Sequence, residues 1–137
     1  MPALTRRVSF TATHRYWRSD WSDLRNEQHF GGATMPHAHD YACDVTLRGP
    51  IDADTGMLID LGTLDKTLDR EVLARFHDKR ISVQVPEFAD GKLIPTCENL
   101  ARFIFERLAS SFSGSVRLAS VIVREDETIS AEFTSED

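Results

Sequence analysis

Apolar and polar residues alternate strictly in two stretches of the chain. Over residues 6–14, Val8, Phe10, Ala12 and His14 fall on one side and Ser9, Thr11 and Thr13 on the other, the two-residue period of a β-strand. Residues 37–48 repeat the pattern, with His37, His39, Tyr41, Cys43, Val45 and Leu47 opposed to Asp40, Asp44, Thr46 and Arg48. The polar second face predicts an antiparallel sheet exposed on one side. Between them, residues 15–36 show no period and carry Trp17, Trp21, Phe30 and Gly31-Gly32, which reads as a long irregular loop of the kind that often serves function. A turn is expected at Asp52–Gly56. Leu61, Leu64, Leu68, Val72 and Phe76 form a helical stripe over 61–76, and Leu100, Phe103, Ile104 and Leu108 a second over 97–109. Thr96 is placed to cap that second helix, after Pro95 and with Glu98 in its first turn. Residues 115–124 and 128–134 read as closing strands around a turn at Asp126-Glu127. The order ββααββ predicts one α+β domain over 1–137, with two helices on one face of an antiparallel sheet.

Composition changes this picture little. The chain has 137 residues, 41% hydrophobic and 28% charged, a balance that supports one globular core. The net charge of −6 leaves no basic stripe for tracking phosphates, so nucleic acid is not an expected partner. A small anionic substrate stays open, because a bound metal can outweigh the surface field locally. No apolar run nears the roughly 18 residues of a membrane span, and MPALTRRVSF has no apolar stretch like that of a secretory signal. The expectation is a cytoplasmic protein with no membrane partner, whose two cysteines, Cys43 and Cys97, are reduced thiols.

The chemistry is concentrated in the histidines. His37 and His39 are two apart, so on a strand their rings share a face. His14 ends the other alternating segment, on its apolar side. If the two strands pair, three imidazoles converge, and three neutral nitrogens with one open position form a catalytic Zn2+ site. An H-x-H pair alone is a weak signal that a packed surface pair also satisfies. His29 has no partner in register and reads as solvated or lining a pocket mouth.

At these residues the chain resembles the family of 6-pyruvoyl tetrahydropterin synthase and 6-carboxytetrahydropterin synthase. The resemblance runs over nearly the whole length. It rests on Phe10-x-Ala12-x-His14, on His37-Ala38-His39-Asp40-Tyr41 where the family has H-G-H-x-Y, on Asp54-Thr55-Gly56-Met57-Leu58-Ile59-Asp60-Leu61, on Pro95-Thr96-Cys97-Glu98-Asn99-Leu100-Ala101, and on Val123-Arg124-Glu125. It implies the tunnelling fold (T-fold), a homo-oligomer of trimeric β-barrels stacked as hexamers, and active sites between subunits. It implies zinc on His14, His37 and His39, a pterin ring anchored by Glu125, and Thr96 and Glu98 at the substrate pocket. A carboxylate suits a guanidine-like edge because it accepts two N–H bonds. Spacing alone would make Glu125 a strand-end carboxylate and Glu98 a first-turn helix charge.

Two departures from that family stand out. Members acting on dihydroneopterin triphosphate carry a cysteine shortly before the H-x-H pair; here the segment is Phe30-Gly31-Gly32-Ala33-Thr34-Met35-Pro36, and Ala33 takes that position with no titratable group. The family's Asp-His pair after the first helix is exchanged, in Phe76-His77-Asp78-Lys79-Arg80-Ile81. The leading expectation is a zinc-dependent lyase or cyclase on a small molecule, pterin or otherwise, with His77 as general base and Asp78 beside it. The alternative is a ligand-binding or structural protein that keeps fold and metal without catalysis. Cys97, at a helix start where a thiol pKa can fall, is a further candidate for the missing thiol, and Cys43 reads as a small buried hydrophobe.

Overall fold

The computed structural model describes residues 1–135. Five strands form one sheet in the order β3-β1-β2-β4-β5: β1 (Ala3–His14), β2 (His37–Arg48), β3 (Lys79–Arg80), β4 (Arg117–Arg124) and β5 (Ser130–Thr134). The helices are α1 (Asp23–Phe30), α2 (Leu61–Leu68), α3 (Ala74–Phe76), α4 (Ile81–Gln84) and α5 (Cys97–Ala109). This is the α+β arrangement that the alternation predicts, with three additions: β3 is a two-residue strand parallel to β1 at Ala12 and Thr13, α1 occupies the expected loop, and the short α4 follows β3. Among the described residues no helix is long and apolar enough to cross a membrane.

The long ladder between β1 and β2 runs from Ala3 opposite Arg48 to His14 opposite His37. The alternating apolar residues therefore meet in register: Phe10 stacks on Tyr41 with ring centroids 5.0 Å apart, and on Phe76 at 5.6 Å. That face is covered by helices. Leu64, Leu68, Val72, Phe76, Leu100, Ile104 and Leu108 are all buried there, each worth about 1.5–3 kcal/mol of burial. The opposite face keeps its polar residues, but Asp44 is buried on it. Arg7 forks onto its carboxylate at 2.7 and 3.0 Å, and Arg124 reaches the same carboxylate at 3.3 Å.

The predicted helix over 61–76 is continuous in direction but not uniform. A π-helical turn, Asp69–Leu73, joins α2 to α3. Leu64, Leu68, Val72 and Phe76 recur every fourth residue, and in an α-helix that spacing swings the stripe by about 40° per step. A wider turn takes up the drift and keeps all four residues against the sheet.

The stretch 15–36 corrects the expectation of an irregular loop. Ser22 caps α1 by accepting the Arg25 N–H. The buried residue of α1 is polar: Asn26 accepts the Arg18 N–H at 2.8 Å and donates to the Arg18 and Ser22 carbonyls at 2.9 and 3.1 Å. A helix anchored by one saturated amide presents no apolar stripe, which is why its period was invisible. Residues Gly31–Thr34 then make a 3-10 turn into β2.

Candidate functional site

The end of the β1–β2 ladder carries the three histidines. His14 and His37 are directly opposed, and His39 lies opposite Ala12, one step inward on the same face. Strand alternation alone places their rings together, with centroids 4.5 Å apart for His14–His37 and 5.0 Å for both His14–His39 and His37–His39. Each offers a nitrogen, and the three nitrogens lie within 4.8 Å of one another.

The outer nitrogens of His14 and His37 are committed elsewhere. His14 Nδ1 lies 2.9 Å from the Pro95 carbonyl, and His37 Nδ1 lies 2.8 Å from the Met35 carbonyl. A carbonyl can only accept, so both Nδ1 atoms carry the proton and both Nε2 atoms carry a lone pair. Tyr41 Oη adds a contact to His14 Nδ1 at 3.0 Å. Burial, with the neighbouring His37, holds His14 well below the usual imidazole range, at about 4. It is therefore neutral at pH 7, the form that ligates a metal. His14 Nε2 and His39 Nε2 are buried without a hydrogen-bond partner. Two buried, unpartnered nitrogens beside a third, with carbonyls fixing the tautomers of His14 and His37 from behind, suit the donor set that a divalent metal requires.

Glu125, at the end of β4, reaches this cluster. Its Oε1 lies 3.4 Å from His14 Nε2 and its Oε2 3.8 Å from His39 Nε2. Glu125 also lines a cavity of about 460 Å³ together with Arg7, His39, Asp40, Arg124 and Asp126. Tyr16 was not foreseen from the sequence. It donates its hydroxyl to Glu125 Oε1 at 3.4 Å, and its backbone N–H bonds the Ala33 carbonyl at 2.8 Å. Burial and the Glu125 carboxylate push the Tyr16 hydroxyl up, so it remains a donor. Its aromatic ring directly after the His14-Arg15 pair is the one signal that could have drawn attention to it.

The other candidates stand further off. Thr96 Oγ1 accepts the Asn99 N–H at 3.1 Å as the cap of α5. Glu98 is exposed in the first turn of that helix, close enough for its charge to raise both Tyr16 and Cys97. His77 and Asp78 lie outside the cluster: among the described residues neither bonds the histidines or Glu125, and both attach to the outer edge of β1 at Thr11. His29 is exposed on α1, against Trp21. The expectation that a helix start would lower the Cys97 thiol fails. Burial and the Glu125 carboxylate push it up to about 12. Burial likewise pushes Cys43 up to about 12.

The sequence profile of the family described as 6-pyruvoyl tetrahydropterin synthase matches residues 3–136. The 6-pyruvoyl tetrahydrobiopterin synthase of Poecilia reticulata is 34% identical over 128 residues, covering 92% of this chain and 86% of that protein. The protein of the same name from Homo sapiens is 36% identical over 107 residues, covering 77% and 72%. The structure of Caenorhabditis elegans 6-pyruvoyl tetrahydropterin synthase superposes with a TM-score of 0.87 at 30% identity, covering 99% of this chain and 98% of that one.

Proposed function

Because the chain belongs to the 6-pyruvoyl tetrahydropterin synthase family, with its tunnelling fold and the lyase class of that superfamily, we propose that it is a zinc-dependent lyase or cyclase acting on a pterin or a closely related nitrogen heterocycle. The observation that supports this most is the pair of buried, unpartnered Nε2 atoms of His14 and His39 beside His37. His14, His37 and His39 would hold the ion. When bound, it would polarise a substrate oxygen and acidify the neighbouring hydroxyl or C–H.

The protein side chains supply the rest. Glu125, with one oxygen steadied by Tyr16, presents a carboxylate to the N–H edge of a heterocycle. Glu98 would add a second acceptor from the first turn of α5, and Thr96 caps the helix start that carries it. The acidic residues Asp40, Glu125 and Asp126 around the cavity favour a ring rich in N–H donors. The His77–Asp78 pair would move the proton, reaching the site of a neighbouring subunit in a homo-oligomer. Support for assembly comes from the sheet edges: β5 is an outer strand, and β3 covers β1 only at Ala12 and Thr13. Unpaired strand edges of this kind are normally closed by a partner.

Ala33, where the family resemblance implies a thiol, supports a substrate or proton route that does not use one, and it also sustains a second reading, a ligand-binding protein that has kept the metal. Elemental analysis of the purified protein, followed by incubation with dihydroneopterin triphosphate and side-chain analogues, separates them. Turnover abolished by His14→Ala is the expected result. Ligand binding with no turnover of any analogue would establish the second reading, and a metal-free protein that turns over at full rate would overturn both.

A further inference from the structure

Resting on the lyase reading above, we propose that the proton acceptor of the His77–Asp78 pair is the Asp78 carboxylate, and that His77 is a positioning residue locked as an Nε2–H donor. The Thr11 N–H points away from β2 on the outer edge of β1, one position before β3 begins to pair at Ala12. It donates to His77 Nδ1 at 3.2 Å. A backbone amide can only donate, so Nδ1 holds the lone pair and the proton of the neutral ring sits on Nε2. Nε2 in turn lies 3.4 Å from Asp78 Oδ2. Neither ring nitrogen is thus free to take a proton: Nδ1 is held by the Thr11 amide and Nε2 already carries one. Taking up a substrate proton at Nδ1 would release the Thr11 amide and reopen an edge donor of the sheet.

Asp78 is held independently. Its N–H donates to the Thr11 carbonyl at 2.7 Å. Among the described residues it is the only non-glycine with positive φ, 58°, a conformation that aspartate tolerates but that still costs energy and collects at functional positions. The Asp78 side chain is 77% exposed and accepts no hydrogen bond from another described residue, so its oxygens keep lone pairs for an incoming O–H or C–H. In the transfer the carboxylate takes the proton, the electron pair of the broken bond stays on the substrate atom, and the carboxylic acid later returns the proton.

The tautomer can be read by NMR on the resting protein, from the ring carbon and nitrogen shifts of His77. The Nε2–H form is expected; an Nδ1–H form would overturn the proposal. This measurement needs no substrate, so it still decides the state of His77 if the protein proves to turn nothing over and the lyase reading falls. With an active substrate, Asp78→Asn should lower kcat by at least about 100-fold, the scale of a lost general base. His77→Gln, which offers an N–H but no proton-accepting nitrogen, should keep roughly a tenth of kcat, and His77→Ala less. Equal collapse of the glutamine and asparagine variants would make His77 the base and overturn the assignment.

Discussion

His14 Nδ1 and the carbonyl oxygen of Pro95 lie 2.9 Å apart across 81 residues of sequence. Pro95 directly precedes Thr96, the cap of α5, so the start of that helix sets the orientation of a ring in the histidine cluster. Thr96→Ala should therefore do two things. It should cost about 1 kcal/mol of stability, the usual worth of an N-cap. It should also weaken metal binding by up to about tenfold, the lower end for groups that orient a ligand from behind. Chelator competition and denaturant unfolding on the same variant check both. A stability loss with unchanged metal affinity would break the link.

Removing the metal should be felt by the fold itself. Without an ion, His14 Nε2 and His39 Nε2 are buried polar atoms with no partner. An ion binding only the folded chain adds about 2.7 kcal/mol at a hundredfold excess over Kd. For a domain of this size that is a Tm rise of roughly 10 °C. A chelator should lower Tm by that order, added zinc should restore it, and His37→Ala should no longer respond. Identical melting curves with and without chelator would remove the metal centre.

The histidine cluster was legible because β1 and β2 alternate without a break, so a single pairing register brings residues 14, 37 and 39 to one face. Glu125 was legible through the family motif alone; nothing in its spacing aims it at His14. Helix α1 was not legible, since its buried anchor is Asn26 rather than an apolar stripe. The π-helical turn was hidden because a four-residue repeat looks helical whether the backbone is α or locally wider. The hold of Thr11 on His77 spans 66 residues and uses a backbone N–H, which leaves no trace in side-chain pattern. For Cys97 only the helix start was legible, whereas burial beside Glu125 decides the thiol.

Asp44 should set part of the acid limit of stability. The Arg7 fork, with Arg124 behind it, holds its carboxyl below the ordinary 3.8. A carboxylate with a depressed folded-state pKa stabilises fully above its unfolded value, and that contribution fades as pH falls through the folded value. Denaturant midpoints for the native chain should therefore drop steeply below pH 3.8, and Asp44→Asn should flatten that limb. Parallel acid limbs in the two proteins would show that the Arg7–Asp44–Arg124 group carries no linkage.

The cysteines give the sharpest check on how the missing thiol is, or is not, replaced. Cys43 and Cys97 are both buried, and each thiol is pushed up to about 12. The thiolate is the reactive species, so at pH 7.5 both should be inert. A thiol reagent should modify neither in the native protein on the scale of minutes, and both after denaturation. Cys97→Ala should accordingly leave the pH dependence of turnover unchanged, because a thiol that stays protonated cannot serve as the base. Rapid modification of Cys97 in the native state, or an acid limb of kcat that disappears in Cys97→Ala, would restore it as the replacement for the family's cysteine at Ala33.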